Sequence, residues 1–305
     1  MVGIVLVVAC GLAVVLGVRA LWRFATGPED LLPGRAPDLA LTQAPPVVEP
    51  DRLRFAVVGD NGTGGRNAMR VGRAMAEAYQ EEPFSLLVHT GDLVYYGDLA
   101  DRYEEVYVRP LRPLLDAGVT VRPVLGNHEF DYTATLRLLE RLGLPGRYYS
   151  FRAGPVEFFM LDSTPPQFGG DGGAAQLAWL EQRLEASTAA WQVVVLHHPP
   201  YSSGRRRPGD MVVRAALEPV LVEHGADLVL TGHDHHYERT SPQQGITYIV
   251  AGSGAKLTGV GRSPFTAASA RRLHFLVIDV EGDQLSGRTI DASGRVFDEF
   301  RLEPR

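Results

Sequence analysis

The chain has 305 residues, of which 45% are apolar and 22% charged, so it can bury a core the size of a large single domain. Its net charge of −6 and pI near 5.9 argue against a nucleic-acid-binding protein, which would usually carry a basic surface. Cys10 is the only cysteine, which excludes an internal disulfide and a thiolate metal site. Any metal ligands must therefore be nitrogen and oxygen atoms.

Residues 1–24 form a hydrophobic segment, in which Val2–Val18 carries no charge. Its length is at the short end of what can span a bilayer. It lacks the basic first part and the small-residue cleavage site of a typical signal peptide. We expect an uncleaved membrane anchor. A cleaved signal, or lipid attachment at Cys10, is the alternative.

Residues 25–52 are rich in proline and have no core periodicity, which is typical of an extended linker. Such a stalk favours a domain held outside the cytoplasm, or secreted if the first segment is cleaved. Arg19 and Arg23 follow the hydrophobic segment and favour the opposite orientation by the positive-inside rule. The globular domain is expected at residues 53–305.

In chain order, the globular part alternates between strand and helix signals. Five short apolar runs that end at turn-forming or polar residues predict buried strands. They are Leu53–Val58, Leu86–His89, Val121–Leu125, Val193–Leu196 and Leu228–Thr231. Helical spacing predicts helices at Asn67–Glu82 (with Asn67 as N-cap), Leu99–Leu115, Thr133–Leu142, Ala174–Ala186 and Met211–His224. Further strands are expected at Tyr148–Phe151, Val156–Leu161, Ile246–Val250, Leu273–Val280, Gln284–Ile290 and Arg295–Phe300. The order indicates an α/β fold of two packed sheets with helices outside.

The predicted strand ends carry five short polar motifs. They are Gly59-Asp60-Asn61-Gly62, Gly91-Asp92-Leu93-Val94-Tyr95, Gly126-Asn127-His128-Glu129, Val194-Val195-Leu196-His197-His198 and Gly232-His233-Asp234-His235. Open α/β sheets place their chemistry at the carboxyl ends of strands, so these loops can bring hard oxygen and imidazole donors together. Their combination predicts a metal centre, although each motif alone has a structural explanation, such as a turn or a solvated strand edge.

Three motifs carry most of the chemical argument. A carboxylate and a phenol at the spacing of Asp92 and Tyr95 can face one cation, and a phenolate suits a ferric ion. His233 and His235, one residue apart, can reach two adjacent ions from a single loop. Asn127 supplies a neutral oxygen ligand, which would keep such a site Lewis acidic.

The order of the five motifs resembles the calcineurin-like metallophosphoesterases, and among them the purple acid phosphatases. The resemblance extends from Leu53 to Glu303, and Tyr95 is the residue that selects the subgroup. One difference from the wider superfamily is the first motif, which has Asn61-Gly62 after Asp60 and no histidine. The resemblance implies a four-layer αββα sandwich, with two mixed sheets flanked by helices.

The resemblance also implies two metal ions and a reaction. Asp60, Tyr95 and His235 would hold Fe(III), Asp92 would bridge, and Asn127, His197 and His233 would hold a divalent Fe, Zn or Mn. His128 would contact the phosphate. The implied activity is that of an acid phosphatase, which cleaves small phosphomonoesters with a water that the metal pair makes acidic.

Many relatives have a further histidine after the position of His197, where it helps to protonate the leaving group. Here the segment reads Tyr201-Ser202-Ser203-Gly204-Arg205-Arg206-Arg207 and contains none. Arginine is not a general acid at ordinary pH, so we expect Arg206, or a neighbour, to bind substrate charge. The leaving group would then depend on its own low basicity or on water. Aryl phosphates would then be hydrolysed faster than alkyl phosphates. A solvated arginine loop is the alternative.

Two other functions are compatible with the sequence. The same metal pair could act as a phosphodiesterase on nucleotides or lipid head groups. The domain could also be a silent, membrane-tethered binding module, which the complete ligand set disfavours. The sequence gives no prediction of the oligomeric state.

Overall fold

The computed structural model describes residues 49–97, 99–129, 132–164, 171–205 and 209–304. Within these ranges the strands form two mixed sheets, of six and seven strands. In spatial order the first sheet comprises β13 (Val296–Leu302), β12 (Gln284–Asp291), β11 (His274–Glu281), β1 (Arg52–Val58), β2 (Leu86–His89) and β3 (Thr120–Pro123). The second comprises β10 (Thr266–Ala270), β8 (Tyr237–Thr240), β9 (Thr247–Ala251), β7 (Leu228–Thr231), β6 (Trp191–Val195), β5 (Val156–Met160) and β4 (Tyr149–Ala153).

Each sheet combines a parallel part with an antiparallel part. Strands β1, β2 and β3 are parallel, and so are β5, β6, β7 and β9. The closing strands are antiparallel to their neighbours: β11 pairs with β1, β12 with β11, and β13 with β12. Because neighbouring parallel strands end on the same side, the loops after β1, β2, β3, β6 and β7 can meet at one edge of the sandwich.

Helices connect the parallel strands. They are α1 (Arg66–Glu81), α2 (Leu99–Tyr103), α3 (Arg109–Asp116), α4 (Tyr132–Leu142), α5 (Asp171–Ala186) and α6 (Met211–His224). A π-helical turn at Glu104–Val108 joins α2 to α3. The predicted continuous helix Leu99–Leu115 therefore exists, with a wider turn in its middle.

The two sheets pack face to face. Phe55 of β1 meets Phe158 of β5 edge to face, with ring centroids 5.2 Å apart. Along β6, Val193 and Val195 join the core between the sheets, whereas Val194 joins the outer core with helices α5 and α6. Burial on both faces explains why these strands are continuous apolar runs in the sequence. The predicted four-layer α/β architecture is confirmed.

One local prediction was wrong, and two strands were missed. Asn67 is not the N-cap of α1, because the helix starts at Arg66 and the Asn67 side chain donates to the carbonyl of Ala255, 3.0 Å away. Strands β8 and β10 were not predicted, because YERT and TAASA lack a clear apolar alternation.

The predicted anchor, residues 1–24, lies outside the described residues, as does all of the linker before residue 49. Among the helices of the described ranges, none combines the length and apolar character that a bilayer crossing needs.

Candidate metal centre

Three predicted ligands lie in strained backbone just after their strands. Asp60, Asp92 and His233 have φ angles of 59°, 58° and 66°, in the left-handed region that residues with a Cβ rarely adopt. Each such residue costs on the order of 1–3 kcal/mol, and such strain concentrates at functional sites. The strain turns these side chains from separate loops toward one point.

Glycines allow the loops to approach closely. A Cβ on Gly126 would lie 2.3 Å from Oδ1 of Asp92, and one on Gly232 would lie 2.5 Å from Oδ2 of Asp60. Both distances are impossible for real atoms, so only glycine fits at these positions.

The first group of donors, the tyrosine-side subsite, comprises Asp60, Tyr95 and His235. The Tyr95 hydroxyl donates to Oδ1 of Asp60 at 3.0 Å and lies 3.1 Å from Nε2 of His235. Nε2 of His235 is 3.3 Å from the same Asp60 oxygen. Asp60 and Tyr95 are buried, and the backbone amide of His233 donates to the other Asp60 oxygen.

The second group, the amide-side subsite, comprises Asn127, His197 and His233. Oδ1 of Asn127 lies 2.8 Å from Nδ1 of His233 and 3.2 Å from Nε2 of His197. The two imidazole nitrogens are themselves 3.2 Å apart. These three side chains come from the loops after β3, β6 and β7.

Asp92 connects the two subsites. Its Oδ1 lies 3.4 Å from Nε2 of His197 in the amide-side subsite. A carboxylate oxygen of Asp92 also lies within 4.8 Å of the donor atoms of Asp60 and His235. The structure thus brings all seven predicted ligands together.

The hydrogen bonding of His197 orients its ring as in a metal ligand. Nδ1 of His197 lies 2.8 Å from the carbonyl of Thr90, which can only accept, so Nδ1 carries the proton. In the neutral ring Nε2 then presents a lone pair toward the oxygens of Asn127 and Asp92. A metal ion is what such converging lone pairs bind, and a hydrogen-bonded Nδ1 is typical of metal-ligating histidine.

The electrostatics of the ligand side chains point in the same direction. Burial, and then the neighbouring carboxylates, hold the pKa of Tyr95 well above its usual value. Burial is also the main reason that the pKa of Asp60 is raised. At Asp92, burial opposes ionisation, but His197 and His128 outweigh it and the pKa is lowered. A bound cation would favour the ionised form of all three groups.

Glu129 supports both subsites. Its carboxylate is fully buried and accepts from the backbone amides of Asp92, Val94 and Gly126 at 2.7–3.0 Å. Burial, followed by the charge of Asp92, raises its pKa to about 8. The sequence contained Glu129 in the third motif, but its role depends on a loop 35 residues away and was not predicted.

His128 lies beside the ligands. Its backbone amide donates to Oδ1 of Asp92 at 3.1 Å, and its ring meets the Tyr95 ring with centroids 4.6 Å apart. Burial lowers its pKa, and the charge of Lys256 contributes to the shift. A hydrogen bond from the His128 ring to the backbone of Tyr95 opposes the lowering of the pKa.

Neighbouring polar residues hold the loops in place. Nε2 of His89 lies 2.9 Å from Oδ1 of Asn61, as expected for a hydrogen-bonded core histidine. Nδ1 of His198 lies 2.9 Å from the hydroxyl of Ser163. The Ser202 hydroxyl donates to Asp234. The predicted substrate contact Arg206 lies outside the described residues.

The fold and the paired donors are those of a metallophosphoesterase. The family profile of calcineurin-like phosphoesterases matches residues 53–237, and the chain belongs to this family. Tartrate-resistant acid phosphatase type 5 of Mus musculus is 26% identical over 237 residues, 66% of this chain and 72% of that protein. Purple acid phosphatase 17 of Arabidopsis thaliana is 26% identical over 234 residues, 67% and 69% of the two chains.

Solved structures share the fold. Purple acid phosphatase PPD1 from yellow lupin seeds superposes with a TM-score of 0.70 at 19% identity, over 86% of this chain and 55% of that one. GAP50, the anchor in the inner membrane complex of Plasmodium, superposes with a TM-score of 0.71 at 19% identity. The superposition covers 83% of this chain and 89% of that one. The predicted family resemblance is confirmed, and so is the enzyme class, since the family and the curated relatives support a phosphatase.

Proposed function

We propose that this protein is a dinuclear metal-dependent acid phosphatase that hydrolyses phosphomonoesters. The observation that carries the proposal is the convergence of seven donor side chains into two adjacent subsites that share Asp92. Phosphatase relatives in the same family support the reaction.

The two subsites would hold different ions. Asp60, Tyr95 and His235 supply a carboxylate, a phenol and an imidazole, which together suit Fe(III). Asn127, His197 and His233 supply neutral donors, which suit a divalent Fe, Zn or Mn. Two such ions, when bound, supply charge to the phosphoryl oxygens and make an attacking water more acidic.

The protein side chains position the substrate. His128 is half-buried beside Tyr95, and when its ring is protonated one N–H can donate to a phosphoryl oxygen as negative charge develops there. Thr90 fixes the tautomer of His197, and Glu129 holds the Asp92 loop, so the donors keep their positions throughout a turnover. Side chains that are already in place lower the entropic part of the barrier to phosphoryl transfer.

The test combines metal analysis with paired substrates on the full-length chain. We expect two ions per chain and faster hydrolysis of 4-nitrophenyl phosphate than of bis(4-nitrophenyl) phosphate. Chelation should abolish turnover, and iron plus zinc or manganese should restore it. Preference for the diester would instead favour a phosphodiesterase. Two bound ions without turnover of either ester would favour a binding module.

Attachment to a membrane through residues 1–24, with the domain outside the cytoplasm, remains part of this proposal. The expected result is that the full chain fractionates with membranes and is released by detergent but not by high salt. Recovery of the chain in the salt-soluble fraction would contradict an uncleaved anchor.

A further inference from the structure

Lys256 is the only lysine of the protein. The chain has 30 lysine and arginine residues, and every one of the others is arginine. A lysine ammonium is a compact point charge, whereas an arginine guanidinium is a wide planar fork, so the two are not interchangeable where space is limited. The single lysine stands in the loop between β9 and β10, beside the tyrosine-side subsite.

The ammonium of Lys256 lies over the face of the phenol predicted to bind metal. Its Nζ is 3.0 Å from the centroid of the Tyr95 ring and 5.4 Å from that of Tyr96. Tyr96 is 64% exposed, so this place is at the mouth of the site and open to solvent. A cation over an aromatic ring is favourable, but arginine makes such contacts more often than lysine. The cation–π contact alone therefore does not explain why this position is a lysine in a chain that otherwise uses arginine.

The loop is tied to the site on both sides of Lys256. The amide of Gly254 donates to the carbonyl of Gly59 at 2.9 Å, and the Asn67 side chain holds the carbonyl of Ala255. On the other side, the amide of Thr258 donates to the carbonyl of His235 at 2.7 Å. These bonds reduce the entropy that Lys256 would lose on binding a ligand.

His128 and Lys256 flank the same ring. The centroids of the His128 and Tyr95 rings are 4.6 Å apart, and Nζ of Lys256 lies 3.0 Å from the centroid of the same Tyr95 ring. Two potential donors thus stand around Tyr95, at the exposed side of the two subsites. The space between His128 and Lys256 therefore suits an anion with several oxygen atoms, such as a phosphate group.

We propose that Lys256 binds a non-bridging phosphoryl oxygen of the substrate and favours monoester dianions over diester monoanions. The proposal rests on the proposed phosphatase function. An added positive charge attracts a dianion more strongly than a monoanion, so the preference follows from electrostatics. Because the contact exists in the bound substrate as well as during reaction, it should act mainly on affinity.

The first test compares Lys256→Met with the wild type, in the metal-loaded full-length chain. We expect KM for 4-nitrophenyl phosphate and the inhibition constant of inorganic phosphate to rise roughly 10- to 100-fold, as for loss of a charge-assisted hydrogen bond. The kcat should change less than about threefold, and KM for the diester should change much less than KM for the monoester. Arg262→Met is the matched control, since Arg262 lies on the same loop and its guanidinium bonds the backbone of Thr266 and Ala267.

A second test does not depend on a variant. Reductive methylation with ¹³C-formaldehyde labels one side-chain amine in this chain and preserves its charge. Phosphate or vanadate should shift the ¹³C resonance of dimethylated Lys256, which is assigned by its absence from Lys256→Met. An unmoved resonance under saturating phosphate would overturn the proposal.

The outcomes separate the two hypotheses. If the wild type hydrolyses monoesters and binds phosphate but Lys256→Met does both equally well, the role of Lys256 is refuted and the phosphatase function stands. If the metal-loaded wild type neither turns over monoesters nor binds phosphate, both proposals fail.

Discussion

The two subsites lie side by side and share Asp92, yet their donors differ in charge. The tyrosine-side subsite combines a carboxylate and a phenol with His235, and both acidic groups are buried. The amide-side subsite combines Asn127 with two imidazoles, which are neutral when they bind metal. Anionic oxygens favour a highly charged hard ion, whereas amide and imidazole donors suit a divalent ion.

This difference explains how one site could hold two unlike ions without a separate sorting mechanism. A trivalent ion would offset the desolvation of Asp60 and Tyr95, whose pKa values are raised chiefly by burial. A divalent ion would retain more Lewis acidity among the neutral donors of the amide-side subsite than among anionic donors. The predictions below test whether the subsites are distinct and whether Asp92 belongs to both.

The largest effect is expected from Asp92→Asn, because Asp92 approaches donors of both subsites. Both ions should bind more weakly, and kcat/KM should fall by more than about 100-fold, since even residues behind the ligands cost 10- to 100-fold. Metal content and turnover are measured together. Asp116→Asn, on an exposed side chain, serves as control. An Asp92→Asn enzyme with full metal content and full activity would refute the shared ligand.

Glu129→Ala should weaken both subsites without removing a ligand. Three backbone amides, including that of Asp92, would lose their acceptor in a buried place. We expect kcat/KM to fall about 10- to 100-fold and the free energy of unfolding to fall by about 1–3 kcal/mol. Glu129→Gln retains one carbonyl oxygen and should lose less in both measurements. Equal losses in the two variants would speak against backbone positioning.

Tyr95→Phe should affect one subsite only. A tyrosinate-to-iron absorption band should vanish, and the iron content should fall, while the divalent ion of the amide-side subsite remains. Tyr96→Phe is the matched control, because Tyr96 is adjacent, 64% exposed and should leave the band unchanged. Visible spectroscopy with metal analysis gives the result. A band that persists in Tyr95→Phe would remove the basis for assigning the ferric ion to this side.

The smallest effect concerns stability away from both subsites. Burial lowers the pKa of His274 to about 4, and the charge of His236 contributes to this. Because the folded pKa lies below the unfolded value of about 6.5, stability is lost as the pH falls from 6.5 toward 4. Between pH 7 and pH 5 the free energy of unfolding of the wild type should therefore fall by about 2 kcal/mol through this residue alone. In His274→Gln this part of the fall should be absent. Urea unfolding of metal-free protein at both pH values is the measurement, and an unchanged difference would contradict it.

The strands and the ligand loops could be predicted from the sequence because their signals are local. Val193–Val195 reads as a buried strand on its own, and His197 follows it directly. Asn67 was misassigned because its side chain bonds Ala255, far along the chain, and not the first turn of its own helix. Lys256 and Glu129 were missed for the same reason, since their roles depend on loops that only the fold brings together.

The most direct test of the paired, unequal subsites is anomalous diffraction from crystals of the metal-loaded protein, collected at the iron edge and at the zinc or manganese edge. We expect two peaks about 3.5–4 Å apart, with Asp92 between them and iron on the side of Tyr95. A single peak, or two ions whose ligands do not include Asp92, would contradict the account.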